Sequence, residues 1–155
     1  MLNGGTRLDK KELFNFINEH KESDNFTGGV DESRINSIQN ELGVELPESY
    51  KWFLYTYGSG GLYVDILGVA KSNRAPVVVH TKRYRELGME KDLVVIEDAG
   101  EYAYCLYISE MEDNECPVIA WNRPGGLDDY ITAKNFYEFL SQRLLDAKEA
   151  WEEDF

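Results

Sequence analysis

The stretch VDESRINSIQNELGVELPESYKWFLYTYGSGG, residues 30–61, carries the densest folding information in the chain. Asp31 stands where a helix N-cap belongs. Val30 and Ile35 occupy the N′ and N4 positions of a hydrophobic staple. Ile35, Ile38 and Leu42 recur at helical spacing, so one face is apolar. Gly43 follows as the left-handed stop. Leu46-Pro47 opens a further helix, with Pro47 expected at the first helical position, where its missing N–H costs nothing. Tyr50, Phe53, Leu54 and Tyr57 share one face of that helix. Trp52 and Tyr55 fall off it and are available to the first helix or to a second copy of the chain. Gly58-Ser59-Gly60-Gly61 ends the helix, and Gly61 is expected at positive φ. A phosphate loop would continue with Lys, Ser or Thr and a helix. Leu62-Tyr63-Val64 follows instead, so the glycines read as a stop and turn.

Working outward towards the N-terminus, Asp9 with Glu12 makes a capping-box start. A helix is expected from Asp9 to His20, with Leu13, Phe14, Phe16 and Ile17 giving a broad apolar face. Residues 21–29 are loop by composition. In the other direction, residues 62–70 (LYVDILGVA) read as a strand interrupted by Asp65 and Gly68. Residues 76–87 are ambiguous, VVVH favouring strand and TKRYREL helix, and a short helix is the choice made. Residues 93–97 are a strand. Residues 101–109 and 116–122 read as a hairpin joined by the acidic loop Glu110–Glu115. Residues 123–130 are loop. A closing helix is expected over Thr132–Trp151, with Phe136, Phe139, Leu140, Leu144 and Ala147 inward.

Helices first, strands in the middle and one helix last give the α+β class. Short connections favour a mainly antiparallel central sheet, packed against N-terminal helices and a C-terminal helix. A length of 155 residues argues for a single domain over 1–155. Residues 1–29 form its N-terminal helix and loop, and residues 152–155 an acidic tail.

The formal net charge is −13. Self-repulsion opposes folding, so the charge serves solubility or association with cationic partners. It argues against nucleic acid and against an anionic membrane, because phosphate binding needs Lys and Arg. Two cysteines are too few for a secreted disulfide scaffold. No secretory leader pattern and no long apolar run is present. The expected location is therefore the cytoplasm.

The chemistry-bearing residues do not assemble into a catalytic pattern. His20 and His80 lack partners at metal-ligand spacing. Hairpin register sets Cys105 opposite a residue near Ala120 and not opposite Cys116, so both thiols read as buried and unbridged. Twenty-nine carboxylates make chance pairing certain, so paired carboxylates carry no signal here. The expectation is a non-enzymatic protein with no catalytic residue, no cofactor and no metal. Three acidic clusters are candidates for binding surface or for ordinary solvated faces. They are Glu97, Asp98 and Glu101; the loop residues Glu110, Glu112, Asp113 and Glu115; and the tail Glu152, Glu153 and Asp154, equally readable as a disordered end. Tyr102, Tyr104 and Tyr107 lie between the first two, and tyrosine among charges is the composition of a binding patch. Alternation sends Tyr102 and Tyr104 to one face and Tyr107 to the other. The candidate partner-binding set is Glu97, Asp98, Glu101, Tyr102, Glu110, Glu112, Asp113 and Glu115.

The string Ile35, Ile38, Glu41-Leu42-Gly43, Leu46-Pro47, Tyr50-Lys51, Phe53-Leu54, Tyr57-Gly58, Gly60-Gly61 resembles the opening motif of the SUKH superfamily, also called the Smi/Knr family. Leu93–Asp98, Gly100, Tyr104-Cys105, Pro117-Val118 and Trp121 are similar to its central hairpin. Phe136, Phe139 and Leu140 are similar to its closing helix. Within the superfamily, EYAYCLYI…ECPVIAW and the acidic Trp-containing end look closest to YobK-type bacterial toxin-immunity proteins. The resemblance implies an α+β fold and a role in binding, with Tyr50, Phe53 and Gly60 structural and no catalytic residue to carry over. It also implies a cytoplasmic immunity protein whose partner is a basic toxin, expected to be a nuclease domain, bound by a monomer or weak homodimer. A regulatory or scaffold protein linked to cell-wall synthesis or secretion is the alternative. An enzyme or small-molecule binder is the third reading.

Overall fold

Asp9 caps α1 (Lys10–His20) through the expected box, its side chain accepting from the Glu12 N–H and Glu12 reaching back. The protein is seen in a computed structural model that describes residues 9–21, 25–61, 64–69, 75–128 and 130–153, with backbone only at 147 and 150–153. The inward placement of Ala147 and the acidic side chains of the tail thus lie outside the described residues. Leu13 and Ile17 are buried, but Phe14 is 40% exposed, so the apolar face of α1 is narrower than its composition implies.

Asp31 caps α2 (Glu32–Leu42), and Gly43 ends it at φ 69°, as read from the sequence. The next helix, α3 (Glu48–Thr56), starts one residue later than expected: Pro47 is its N-cap, extended, and has no side chain to offer the free N–H groups. Tyr50, Phe53, Leu54 and Tyr57 are all buried. The Tyr50 hydroxyl donates to the Leu67 carbonyl at 2.6 Å.

The strand expected over 62–70 does not form at residues 64–69. Gly60 and Ile66 make an isolated bridge, and the Leu67 N–H donates once, to Ile96, at 2.8 Å. Gly68 supplies the reason. A Cβ there would sit 1.9 Å from the Gly58 carbonyl oxygen, so this segment packs backbone to backbone on the turn that ends α3. Residues 62, 63 and 70 lie outside the described residues.

The ambiguous segment is a helix, α4 (Pro76–Glu86), with Pro76 in its first turn. Four strands follow: β1 (Leu93–Asp98), β2 (Tyr102–Tyr107), β3 (Val118–Asn122) and β4 (Gly126–Leu127). They form one antiparallel sheet in chain order. β2 and β3 are shorter than expected because a 3-10 turn, Ile108–Glu110, begins directly after Tyr107. β4 lies inside the segment read as loop, a two-residue return onto Trp121 and Asn122. The closing helix α5 (Phe136–Glu153) starts four residues late. The Thr132 and Ala133 N–H groups donate to the Val118 carbonyl instead, and Asn135 accepts from the Glu138 N–H at 2.9 Å.

The chain is α+β. α4 covers one face of the sheet, with Thr81 accepting from the Val95 N–H and Tyr84 packed on Trp121. α5 covers the other, with Phe139 on Tyr104, and α3 stacks behind it through Tyr50 and Phe136. Both cysteines are buried and free, and Cys105 faces Ile119 across the hairpin. Among the described residues no helix is long and apolar enough to cross a membrane.

Candidate partner-binding cleft

β1 carries a bulge. Val95 pairs with Cys105, but Glu97 pairs with Tyr104 and Asp98 with Ala103, so one extra residue is absorbed. The extra residue is Ile96, and ordinary strand alternation sends the neighbours Glu97 and Asp98 to opposite faces of the sheet. Glu97 is 8% exposed and takes a two-point ion pair from Arg143 of α5, Nε at 2.9 Å and Nη2 at 2.6 Å. The same guanidinium lies 5.7 Å from the centre of the Tyr104 ring. Asp98 faces α4. Its carboxylate accepts from the Tyr84 hydroxyl at 2.7 Å and the Gly100 N–H at 3.0 Å, and meets His80 Nδ1 at 2.8 Å. Burial pushes the Asp98 carboxyl up, but the hydrogen bonds from Gly100, Tyr84 and His80 together outweigh it and hold the group below its ordinary value. Both carboxylates therefore clamp helices onto the sheet.

Glu115 is also committed inside the fold. Its carboxylate accepts from the Ser49 N–H at 3.0 Å and from the Ser49 hydroxyl. The Asn114 carbonyl accepts from the Glu48 N–H at 2.8 Å. The hairpin loop thus caps α3, where Pro47 has no side-chain acceptor. Burial is the largest influence on Glu115 and raises its carboxyl despite the Ser49 bonds. The loop turns at Asp113 and Asn114, both left-handed, and Glu110, Glu112 and Asp113 are exposed at its tip.

Glu101 and Tyr102 lie at the other end of β2, about 17 Å of strand away from the tip. They line an open cleft of ≈ 880 Å³ between the sheet, the 124–132 segment and α5. Tyr104, Ala120, Pro124, Asp128, Tyr130 and Gln142 line it with them. Tyr102 stands edge-on to Tyr104 at 5.3 Å. The Tyr104 hydroxyl is pushed up to about 12, by burial first and then by its hydrogen bond with Tyr102. Tyr130 is 70% exposed and Tyr102 38%. Among the described residues, the lining holds two carboxylates, Glu101 and Asp128, and no Lys or Arg. Such a wall attracts cations and offers ring faces to them.

The structure therefore divides the eight sequence-derived candidates. Glu101 and Tyr102 enter the cleft. Glu110, Glu112 and Asp113 form a separate acidic tip. Glu97, Asp98 and Glu115 hold the fold together. Asp128 and Tyr130 belong to the cleft and were missed. Their segment, RPGGLDDY over 123–130, has the same pairing of acid and tyrosine that singled out Glu101 and Tyr102. Among the described residues, no group of three His, Cys, Asp or Glu is placed to hold a metal ion.

Comparison with solved structures gives a protein from Pseudomonas syringae pv. tomato that is 18% identical, with a TM-score of 0.69 over 88% of this chain and 98% of that one. At that identity the likeness concerns the fold. The family model described as SMI1-KNR4 cell-wall (SUKH) matches residues 11–145, from the first turn of α1 into α5. The chain belongs to the SMI1-KNR4, or SUKH, family.

Proposed function

We propose that this chain is a non-catalytic, cytoplasmic binding protein of the immunity type, which occupies and neutralises a basic toxin, most simply a nuclease domain. The observation that carries the reading is the tyrosine-lined cleft, whose charged lining residues are the carboxylates Glu101 and Asp128, in a chain of net charge −13. A nuclease domain is basic because it must hold phosphates. An acidic surface complements it and speeds its capture. The cleft, and not the whole run of acidic residues, is the proposed contact.

The test is co-expression with the C-terminal domain encoded by the adjacent gene. Rescue of growth by this chain, lost when Tyr102 and Glu101 are both replaced, supports the reading. Equal growth arrest with and without the chain refutes it. The family description names the cell wall, and that favours a second reading as a regulatory or scaffold protein in wall synthesis or secretion. Altered wall composition on deletion, with no toxin protection, would select it.

A further inference from the structure

We infer that the cleft is a guanidinium socket, built to take an arginine side chain presented by a protein partner in preference to a lysine. The inference rests on the reading that the partner is a basic protein, and it specifies which basic residue the cleft recognises.

The argument begins with Arg143. On this face of the sheet the chain already holds one guanidinium, by a two-point bond to Glu97 and by the ring of Tyr104. A carboxylate for the planar fork and a tyrosine face for the delocalised charge are what distinguish arginine binding from lysine binding. The adjacent positions repeat those components facing outward. Tyr102 abuts Tyr104 edge-on and is partly exposed, and Glu101 precedes it. Tyr130 and Asp128 belong to the facing wall. The inner set is filled by the protein's own Arg143. Among the described residues, the outer set has two carboxylates and two exposed rings, and no Lys or Arg lines it.

The cleft volume of ≈ 880 Å³ lies in the range of sites that enclose a ligand of many atoms. An arginine with its flanking backbone fits that scale, and Thr132 and Gln142 add polar groups along the wall. A nucleic acid is disfavoured here, because among the described residues the charged lining is negative and phosphates need Lys or Arg.

The test titrates the isotope-labelled full chain with two capped peptides, acetyl-Gly-Arg-Gly-Arg-Gly-amide and its Lys counterpart, and follows backbone amide shifts. The expected result is perturbation confined to residues 101–104 and 120–132, with the Arg peptide at least about threefold tighter. Tyr102→Leu and Glu101→Gln should each weaken the Arg peptide about threefold or more, with thermal midpoints unchanged. Glu110→Gln combined with Glu112→Gln, on the hairpin tip, should leave it within about twofold. Equal affinity for both peptides, or equal loss in the tip variant, would mean that bulk charge alone binds the peptide and would overturn the socket. The co-expression result is scored separately. Protection without arginine preference keeps the immunity reading and sinks the socket, whereas arginine preference without protection keeps the socket and sinks the toxin.

Discussion

Arg143 of α5 and Glu97 of β1 meet in a two-point ion pair, with Nε at 2.9 Å and Nη2 at 2.6 Å from the two carboxylate oxygens. The bond fastens the closing helix to the sheet at the bulge. Glu97 is nearly enclosed and Arg143 about one-third exposed. Removing one partner leaves the other poorly solvated and unpaired. Arg143→Ala should cost about 2–3 kcal/mol, below the range for fully buried pairs because of that exposure. Arg143→Lys should recover only part, since it keeps the charge and loses the fork. Urea unfolding of both variants and of Glu97→Gln, combined in a double-mutant cycle, measures the coupling. A coupling near zero would make the pair incidental.

Asp98 sets a pH dependence. Its carboxyl is held below the ordinary value in the folded state, so the folded chain binds that proton less readily than the unfolded chain. Its stabilisation is therefore present above the unfolded pKa, about 4, and is lost as pH falls through the lower folded value. Asp98→Asn should lower stability at neutral pH and flatten the decline below about pH 4. Chemical denaturation across that range checks both effects. An unchanged acid limb would show that other carboxylates govern it.

Glu115 acts with the opposite sign and a different partner. Burial raises its folded carboxyl, so its ionisation opposes folding: this contribution is most favourable at low pH and declines as pH rises through the folded value. What it supplies in return is the cap of α3. Glu115→Ala should cost about 1–2 kcal/mol, the worth of a helix cap. Glu115→Gln should cost less, because it keeps an acceptor for the Ser49 N–H and removes a buried charge. Thermal melts of the two variants at neutral pH rank them, and a Gln variant less stable than the Ala variant would contradict the cap.

The helices were legible because their signals are local. Asp9 with Glu12, and Asp31 through Gly43, carry their caps and apolar faces within a dozen residues. The β2–β3 hairpin was legible by alternation. The roles of the acidic residues were not. Adjacent letters Glu97-Asp98 look like one patch, but strand alternation turns them to opposite faces, where Arg143 of α5 takes one and Tyr84 of α4 the other. Glu115 looks like one more loop charge until Ser49, 66 residues away, is seen beside it. The cleft draws on residues from 101 to 142, a spread that spacing rules do not join. The strand expected over 62–70 is absent at residues 64–69 because their apolar letters suit a strand, but Gly68 packs backbone to backbone on the turn at Gly58.

That turn yields a backbone prediction. Positive φ was expected at Gly61 and instead occurs at Gly60, at 109°, where a Cβ would also stand 2.1 Å from the Asn25 carbonyl oxygen. Gly43 is left-handed too, but a Cβ there meets nothing within 4 Å. Gly43→Ala should therefore cost about 1 kcal/mol, the conformational penalty alone. Gly60→Ala adds a clash with main chain and should cost clearly more, about 3 kcal/mol or above. Comparable melting temperatures for the two would contradict the close approach at Gly60.

Charge reversal separates steering from contact. Glu110 and Glu112 are exposed on the hairpin tip, about 17 Å of strand from the cleft, too far to share one arginine with Glu101. Their field still acts on a basic partner during approach, within a Debye length of about 8 Å at physiological salt. Glu110→Lys with Glu112→Lys should slow association up to about tenfold at low salt and leave the dissociation rate nearly unchanged. Asp113 is left out because its left-handed backbone, φ 52°, would confound the result with strain. Glu101→Lys with Tyr102→Ala should instead speed dissociation, since these groups touch the partner. Stopped-flow mixing with the basic partner recovered by co-expression, over rising salt, reads both rates. If the tip variant dissociates faster and the cleft variant does not, the partner sits on the hairpin tip, and the cleft is not the contact surface.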